Sequence, residues 1–279
     1  MRRTSATTWA LAMFNAKDVN GLIDAIDPGV TLVVTSCGRA ALLLKTLETF
    51  ARYNTCSLHE AILVEDGGLE HNHCLLAKVL NLPLEKFRIV KNSKNLGQIQ
   101  SIDKAYALVG SQYIFHCEDD WEFYKSGFIE ESLEILSSNP QIFCVWIRAH
   151  SDTNGHPIDF SDQRTVNGHS YYFLKTGYRG VWNGFTLNPG LRRTADCLIF
   201  GPYSELSTAH ELKGKTRVAE SDLSIHYHRL GYRAAISSVI NGYVRHIGEA
   251  DHLANEWESR LFVRIKNFVR RLVKVVRGR

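Results

Sequence analysis

The chain has 279 residues, of which 44% are hydrophobic and 22% are charged, a composition typical of a globular protein with one large or two small domains. Its net charge of +4 is unevenly distributed, because residues 260–279 carry eight basic side chains and no acidic ones. The rest of the chain has 25 basic and 29 acidic side chains, which argues against a nucleic-acid-binding body and predicts an acidic domain with a basic tail.

The cysteines and the N-terminal residues bear on the cellular compartment. Six cysteines are scattered along the chain without a CxxC pair, which indicates buried thiols in a reducing compartment. Residues 1–14 contain no sustained apolar segment of the kind that a secretory signal or a spanning helix requires. We therefore expect a cytoplasmic protein.

The first half of the chain alternates strand-like and helix-like segments. Strands separated by helices are typical of βαβ units and predict an α/β fold with a mainly parallel sheet. The predicted strands are 31–35, 60–65, 87–90 and 113–117, and the predicted helices are 40–53, 74–80 and 95–109.

The regular alternation of strand-like and helix-like segments ends after Asn139-Pro140. A buried strand is predicted at 142–147, an irregular loop at 151–169, short strands at 171–174 and 185–187, a helix at 219–230 and a late strand at 240–247. No linker separates the two halves, so one domain is expected.

Three consecutive carboxylates, Glu118, Asp119 and Asp120, follow the apolar run 113–115. Ionised oxygens at the end of a buried strand must be compensated, and a divalent cation with a phosphate ligand is one usual compensation. In open α/β sheets, the ligand crevice also lies beyond the carboxyl ends of the strands. The alternative is a solvated acidic loop before a helix that starts near Gly127.

Four motifs in this order resemble the nucleotide-sugar half of GT-A glycosyltransferases, especially those of family 2, and the resemblance extends over roughly residues 30–250. The motifs are Val34-Thr35-Ser36, Glu65-Asp66-Gly67-Gly68, Asn95-Leu96-Gly97 and Glu118-Asp119-Asp120. The acidic triplet also resembles the Glu-Asp-Asp motif of some N-acetylglucosaminyltransferases. The resemblance implies a GT-A fold, with a mixed, mainly parallel sheet flanked by helices.

The resemblance divides the chain into functional segments. An N-terminal extension at 1–29 precedes a GT-A domain at 30–258. This domain consists of a nucleotide-binding half at 30–125 and an acceptor half at 126–258.

For the nucleotide half, the resemblance assigns the ribose contact to Asp119 and a Mn²⁺ or Mg²⁺ ion to Asp120. Glu118 is an alternative partner for the ribose hydroxyls. Asp66 matches a position that accepts a hydrogen bond from the base, which favours uracil, and Thr35 matches a nucleotide contact on the first strand. Asp66-Gly67-Gly68 is also compatible with an ordinary turn.

Three further features are assigned by the same resemblance. Asn95 and Gly97 open a helix near the nucleotide, although an ordinary turn at a helix start explains them nearly as well. His246 matches a position where many such enzymes place a third metal ligand. Trp182 lies in a stretch that shapes the donor-sugar and acceptor sites, and a core position for this side chain is equally compatible with the sequence.

The segment Ala219-Glu220-Ser221-Asp222 resembles the acidic catalytic motif of the family. Residues two apart on a helix point about 200° apart, so Glu220 and Asp222 cannot face one cleft from a continuous helix. We expect Asp222 in the first turn, where a carboxylate is favoured by the helix dipole, with Ser221 as a possible cap. Glu220, just before the helix, is then the candidate general base. The family pattern has Glu-Asp with Asp as base, so Asp222 stays the alternative.

Together these features predict a metal-dependent inverting hexosyl- or N-acetylhexosaminyltransferase. It would move a sugar from a UDP-sugar to a hydroxyl of a glycan or lipid-linked acceptor, as in polysaccharide biosynthesis. A sugar nucleotidyltransferase is an alternative, but Ser36-Cys37-Gly38-Arg39 supplies only one glycine of the loop that such enzymes need. The other alternative is a membrane-associated scaffold that binds nucleotide-sugars without catalysis, and the carboxylates argue against it.

The basic tail at 259–279 has apolar residues at helical spacing along one stripe and cations on the other side. Charges interrupt the apolar run too often for a spanning helix. The pattern predicts an amphipathic helix that attaches the protein peripherally to the anionic inner face of the cell membrane. A helix packed on the domain or at a dimer interface is the alternative.

Overall fold

The computed structural model describes residues 27–206 and 216–248. The described residues up to Ile247 belong to one compact unit. Most of the predicted N-terminal extension, and the whole predicted amphipathic helix at 259–279, lie outside the described residues.

The central sheet has five strands, β1 (Asp27–Ser36), β2 (Leu58–Glu65), β3 (Phe87–Lys91), β4 (Ser111–Glu118) and β9 (Gly190–Arg193). Their order in the sheet is β3-β2-β1-β4-β9. The first four are mutually parallel, and β9 runs antiparallel to β4. This confirms the predicted α/β fold with a mainly parallel sheet.

Helices cover both faces of this sheet, because the central strands are apolar on both sides. Along β1, Leu32 and Val34 belong to one hydrophobic cluster, and Val33 between them belongs to the other. The helices are α1 (Ala40–Tyr53), α2 (His73–Val79), a 3₁₀ helix (Leu84–Lys86), α3 (Gln98–Tyr106), α4 (Phe128–Ser138), α5 (Thr194–Leu198), α6 (Tyr203–Leu206) and α7 (Thr216–Arg229). Within the described ranges, no helix is long and apolar enough to cross a membrane.

Two smaller sheets complete the described part of the chain. A four-stranded sheet has the order β6-β10-β8-β7, and a two-stranded antiparallel sheet pairs β5 with β11. Helix α1 supports β5, because the hydroxyls of Thr46 and Thr49 accept the N–H groups of Trp121 and Phe123. The strands are β5 (Trp121–Phe123), β6 (Ile142–Trp146), β7 (Ile158–Val166), β8 (His169–Leu174), β10 (Arg233–Ser237) and β11 (Val244–His246).

Three predictions for the second half were wrong. The irregular loop at 151–169 contains β7, whose polar residues face away from the core on an edge strand. The strand at 185–187 is absent, because the N–H groups of Phe185 and Leu187 donate to side chains instead of a neighbouring strand. The late strand predicted at 240–247 is limited to the three residues of β11. The strand β10, which precedes the predicted strand, was not predicted.

The start of α7 also differs from the prediction. The helix begins at Thr216, so Glu220 lies inside it and Asp222 is not in the first turn. The argument that Ser221 caps the helix and that Asp222 is favoured by the dipole is therefore wrong. The two acidic residues still point in different directions, since they remain two apart on a continuous helix.

Candidate active site

The carboxyl ends of three parallel strands meet at one edge of the central sheet. The strand register places Thr35 beside Glu118 and Ser36 beside Glu65. Asp66 follows β2, and Asp119 and Asp120 follow β4. Sequence motifs that lie up to 85 residues apart, from Thr35 to Asp120, thus converge, as expected for the ligand crevice of an open α/β sheet.

Asp119 is completely buried and is bound by the last residue of β1 and the loop that follows it. Its Oδ2 atom accepts hydrogen bonds from the Ser36 hydroxyl at 2.8 Å and from the Cys37 N–H at 3.4 Å. The guanidinium of Arg39 contacts both oxygens. Burial raises the pKa of Asp119, although Arg39 and Ser36 oppose this effect. The alternative of a solvated acidic loop is therefore wrong.

Asp120 lies between two basic side chains. Its Oδ2 is 2.8 Å from Nη1 of Arg39 and 3.2 Å from Nε2 of His246. Strand β11 brings His246 there, since it pairs with β5 and the Ile247 N–H donates to the Asp120 carbonyl. Burial alone would raise the pKa of Asp120, but the His246 hydrogen bond and the Arg39 charge hold it below its ordinary value.

The Asp120–His246 pair fits one side of a divalent-cation site. The Oδ1 atom of Asp120 is buried and has no hydrogen-bond partner among the described residues, so it is an orphaned acceptor. A carboxylate oxygen and an imidazole nitrogen are ligands that Mn²⁺ takes, and Mg²⁺ prefers the oxygen. In the part of the chain that the structure describes, no cluster of three or more His, Cys, Asp or Glu ligands forms.

Glu118 is half-buried at the end of β4. Its carboxylate accepts hydrogen bonds from the Gln98 amide and, at 3.1 Å, from the Trp121 indole N–H. Burial and the neighbouring charge of Asp120 raise the pKa of Glu118 to about 8, and the charge of Glu220 contributes to this shift. Glu118 and Glu220 therefore lie close enough to interact electrostatically.

Asp66 binds the loop that starts α3. Its Oδ1 accepts hydrogen bonds from the Leu96 N–H at 2.7 Å and the Asn92 amide at 2.8 Å, and its Oδ2 accepts one from the Gly97 N–H at 2.7 Å. Gly97 has a φ of 84°, a conformation that glycine adopts without strain. The structure thus brings Asp66, Asn95 and Gly97 together, and the Asn95 amide lies 3.3 Å from Sγ of Cys37.

Glu65 joins the loops that follow β1 and β2. It is completely buried, and its Oε1 accepts the N–H groups of Gly38 and Gly67. Its Oε2 lies 2.6 Å from Nε2 of His71. These bonds from His71, Gly38 and Gly67 outweigh burial and lower the pKa of Glu65, so an ionised carboxylate holds the two loops together.

Glu220 projects from α7 toward the segment 186–188. Its Oε1 accepts the Leu187 N–H at 2.7 Å and the Thr186 hydroxyl at 3.2 Å. Burial raises the pKa of Glu220, although these two hydrogen bonds and the charges of Arg192 and Arg148 lower it. A carboxylate with a raised pKa, held by directed donors, has the properties of a general base.

Trp182 occupies a core position. It is 8% exposed, and its indole N–H donates to the Phe185 carbonyl at 2.6 Å. The hydroxyl of Ser224 accepts the Asn183 N–H at 2.6 Å and so ties this segment to α7. The geometry favours the core alternative for Trp182 over sugar stacking.

Two arginines near the carboxylates were not singled out from the sequence. Arg39 forms ion pairs with Asp119 and Asp120, and its position directly after Gly38 in the first loop was the available signal. Arg148 lies over the Trp121 ring at 4.9 Å and pairs with Asp152. No local pattern identifies Arg148, because it reaches the site through a backbone bridge to Val244 of β11, almost 100 residues further along the chain.

The comparison with known proteins agrees with this geometry. The sequence model described as "Glycosyl transferase family 2" matches residues 31–193, which is more than half of the chain. No curated protein sequence matches the chain significantly.

Two solved structures of TarS from S. aureus resemble the fold at 14% identity, one of residues 1–349 with a TM-score of 0.50 and one of a longer chain with 0.51. Both cover 77% of this chain, and this chain covers 59% and 36% of theirs, which is less than two thirds of their length. The mannosyltransferase PcManGT from Pyrobaculum calidifontis in complex with GDP-Man and Mn²⁺ has a TM-score of 0.49 at 14% identity, with coverage of 77% and 57%. The match to the family model, carried on a GT-A fold, shows that this chain belongs to glycosyl transferase family 2.

Proposed function

We propose that this chain is a metal-dependent inverting glycosyltransferase. It would move a hexosyl or N-acetylhexosaminyl group from a nucleoside diphosphate sugar, expected to be a UDP-sugar, to a hydroxyl of a glycan or lipid-linked acceptor. The observation that supports this most directly is the convergence of Thr35, Asp66, Asp119 and Asp120 where β1, β2 and β4 end. The chain that forms this edge belongs to glycosyl transferase family 2.

The nucleotide would bind at the edge where β1, β2 and β4 end. Asp119 or Glu118 would accept hydrogen bonds from the ribose hydroxyls, and Thr35 and Asp66 would contact the nucleoside. Asn95 and Gly97 would line the same edge from the start of α3. Asp120 and His246 would hold a Mn²⁺ or Mg²⁺ ion, which when bound neutralises charge on the departing diphosphate.

Glu220 would act as the general base. Its ionised carboxylate would accept the proton of the acceptor hydroxyl, whose oxygen attacks the anomeric carbon from the face opposite the diphosphate. This reaction inverts the configuration of the anomeric carbon. A positioned base of this kind contributes ~10²–10⁴-fold to the rate.

A nucleotide-sugar hydrolysis assay with Mn²⁺ tests the proposal without knowledge of the acceptor. Glu220→Gln should lower turnover by at least ~100-fold while UDP binding, measured by titration calorimetry, stays near that of the unaltered protein. Asp222→Asn is the matched control on the same helix and should keep most of the turnover. The reverse pattern would move the base to Asp222, and absence of turnover with every donor would support a binding protein without catalysis.

The metal assignment has a separate test. Asp120→Asn should abolish the dependence of UDP binding on Mn²⁺, because it removes one formal charge next to the cation. Glu122→Gln is the matched control, since Glu122 lies two residues further and pairs with Lys45 and Arg245. Full Mn²⁺-dependent binding by the Asp120 variant would show that the metal site lies elsewhere.

We also propose that residues 259–279 attach the protein peripherally to the inner face of the cell membrane. Their cations would interact with anionic headgroups, and their apolar stripe would enter the headgroup boundary. Co-sedimentation with anionic vesicles should weaken with salt and disappear on truncation after Glu258. Equal amounts of intact and truncated protein left in the supernatant would support a packed helix instead.

A further inference from the structure

Arg192 is a cation inside the protein core. It lies on β9 opposite Ile114 of β4 and is only 1% exposed. Removing a guanidinium from water carries a large desolvation penalty, so its retention at a buried position calls for an explanation. None of the predicted site residues accounts for it.

The guanidinium holds the segment that binds Glu220. Its Nη2 atom donates to the carbonyl oxygens of Thr186 at 2.5 Å and Asn188 at 3.2 Å. The Asn188 N–H in turn donates to the Thr186 hydroxyl at 3.1 Å, which closes the turn. One charged side chain thus anchors both ends of a three-residue segment.

The peptide unit between Thr186 and Leu187 connects Arg192 with Glu220. Its carbonyl accepts from Arg192, and its N–H donates to Oε1 of Glu220 at 2.7 Å. The C=O and N–H of a trans peptide are coplanar and point in opposite directions, so fixing the carbonyl also fixes the direction of the N–H. A peptide polarised by a cation at its oxygen is also a stronger donor at its nitrogen.

We propose that Arg192 is a positioning residue for glycosyl transfer, which orients the carboxylate of Glu220 through the Thr186–Leu187 peptide. This inference rests on the proposed role of Glu220 as the general base. Arg192 does not touch substrate in this scheme. It keeps the base directed at the acceptor hydroxyl.

The charges around Glu220 come from several elements. Arg192 on β9 and Arg148 after β6 are the cations that act on it, Glu118 on β4 is the facing anion, and Asp222 lies two residues away on the same helix. Burial raises the pKa of Glu220, and the Leu187 and Thr186 hydrogen bonds and the two cations oppose this. Loss of Arg192 removes a cation and loosens both hydrogen bonds, so it should raise that pKa further.

Arg192→Gln and Arg192→Lys test the inference in the hydrolysis assay. Arg192→Gln should lower kcat by at least ~10-fold, because a base displaced by even about 1 Å loses much of its rate contribution. The acidic limb of its kcat/KM profile should move to higher pH, while UDP affinity stays unchanged. Arg192→Lys keeps the charge, so its acidic limb should stay close to that of the unaltered protein, with partial recovery of kcat.

Arg193→Gln is the matched control. Arg193 is the next residue on the same strand and binds Asp196 and the carbonyls of Leu136, Asn139 and Ile142, away from Glu220. Its replacement should lower the melting temperature without moving the acidic limb. If the Arg192 and Arg193 variants changed kcat and the pH profile equally, Arg192 would be structural only.

A double-variant cycle separates this inference from the proposed function. In a Glu220→Gln background, Arg192→Gln should cause no further loss of kcat, because there is no base left to position. Full turnover by Glu220→Gln alone would overturn the proposed base. Loss of turnover by Glu220→Gln together with additive Arg192 effects would overturn only the positioning role. Should Arg192→Gln fail to fold, Arg192→Lys in both backgrounds gives the same comparison.

Discussion

The guanidinium of Arg39 lies 2.8 Å from Oδ2 of Asp120 and contacts Asp119 at the same time. This side chain supplies positive charge beside two buried carboxylates. A cation bound to Asp120 would act on the same charges. Arg39 therefore supplies positive charge to carboxylates that a cation at Asp120 would also compensate.

Removing that charge should make stability dependent on metal. We expect Arg39→Met to lower the free energy of unfolding by ~3–5 kcal/mol, because it leaves the buried carboxylate of Asp119 without its cation and Asp120 with His246 alone. Mn²⁺ with UDP should then raise the melting temperature of the variant more than that of the unaltered protein. Arg245→Met, which breaks an exposed pair with Glu122, should cost only ~0–1 kcal/mol. Equal losses in urea denaturation for the two variants would contradict this prediction.

Asp66→Asn should destabilise the loop before α3. An amide replaces one of two acceptor oxygens that receive three N–H groups, and each buried donor left unsatisfied costs ~1–3 kcal/mol. If Asp66 also contacts uracil, as the family resemblance implies, affinity for UDP should fall more than affinity for GDP.

The control for this variant is Asp103→Asn. Asp103 accepts the N–H groups of Tyr203 and Ser204, so it has a similar structural role in another part of the fold. It should lose stability without a change in nucleotide selectivity. If the Asp66 variant lost affinity for UDP and GDP equally, Asp66 would only stabilise the loop before α3 and would not contact the base.

The pH dependence of transfer should follow the ionisation of Glu220. A base acts only when deprotonated, so kcat/KM should fall as the pH falls below the raised pKa of this carboxyl. Thr186→Val removes a hydrogen bond that favours the ionised form, so the acidic limb should move to higher pH. Thr186→Ser retains the hydroxyl and should leave the limb in place. If the acidic limb of the kcat/KM profile were unchanged in the Thr186→Val variant, Glu220 would not be the group whose ionisation controls the rate.

The two loops that follow β1 and β2 leave no room for a side chain at Gly67. A Cβ there would lie 2.2 Å from the Gly38 nitrogen and 2.7 Å from the Cys37 carbonyl carbon, and both are backbone atoms. Gly67→Ala should therefore separate the loops, weaken UDP binding and lower the melting temperature. Gly110→Ala meets no atom within 4 Å and should have almost no effect. A Gly67 variant with unaltered UDP affinity would show that nucleotide binding does not depend on the close approach of these two loops.

The sequence by itself was enough to predict the parallel sheet in the first half of the chain and the family to which the chain belongs. The strands β1, β2 and β4 contain short apolar runs buried on both faces, and such runs identify strands without any knowledge of their partners. The glycines and carboxylates directly after them mark the carboxyl edge of a parallel sheet. For this reason the parallel fold and the GT-A resemblance were predicted correctly from local patterns.

Only the tertiary structure decided how the charges in the candidate site are balanced. Arg39 is about 80 residues from Asp119, and Glu220 is bound by Thr186 and Leu187, which lie more than 30 residues before it. The segment 185–187 has strand-like residues, but side chains on α7 take its N–H groups and prevent pairing. Such side-chain-to-backbone bonds leave no periodic signal in the sequence, because each depends on one long-range contact. The hydrogen-bond partners of Arg192 and Glu220 could therefore be identified only in the folded chain.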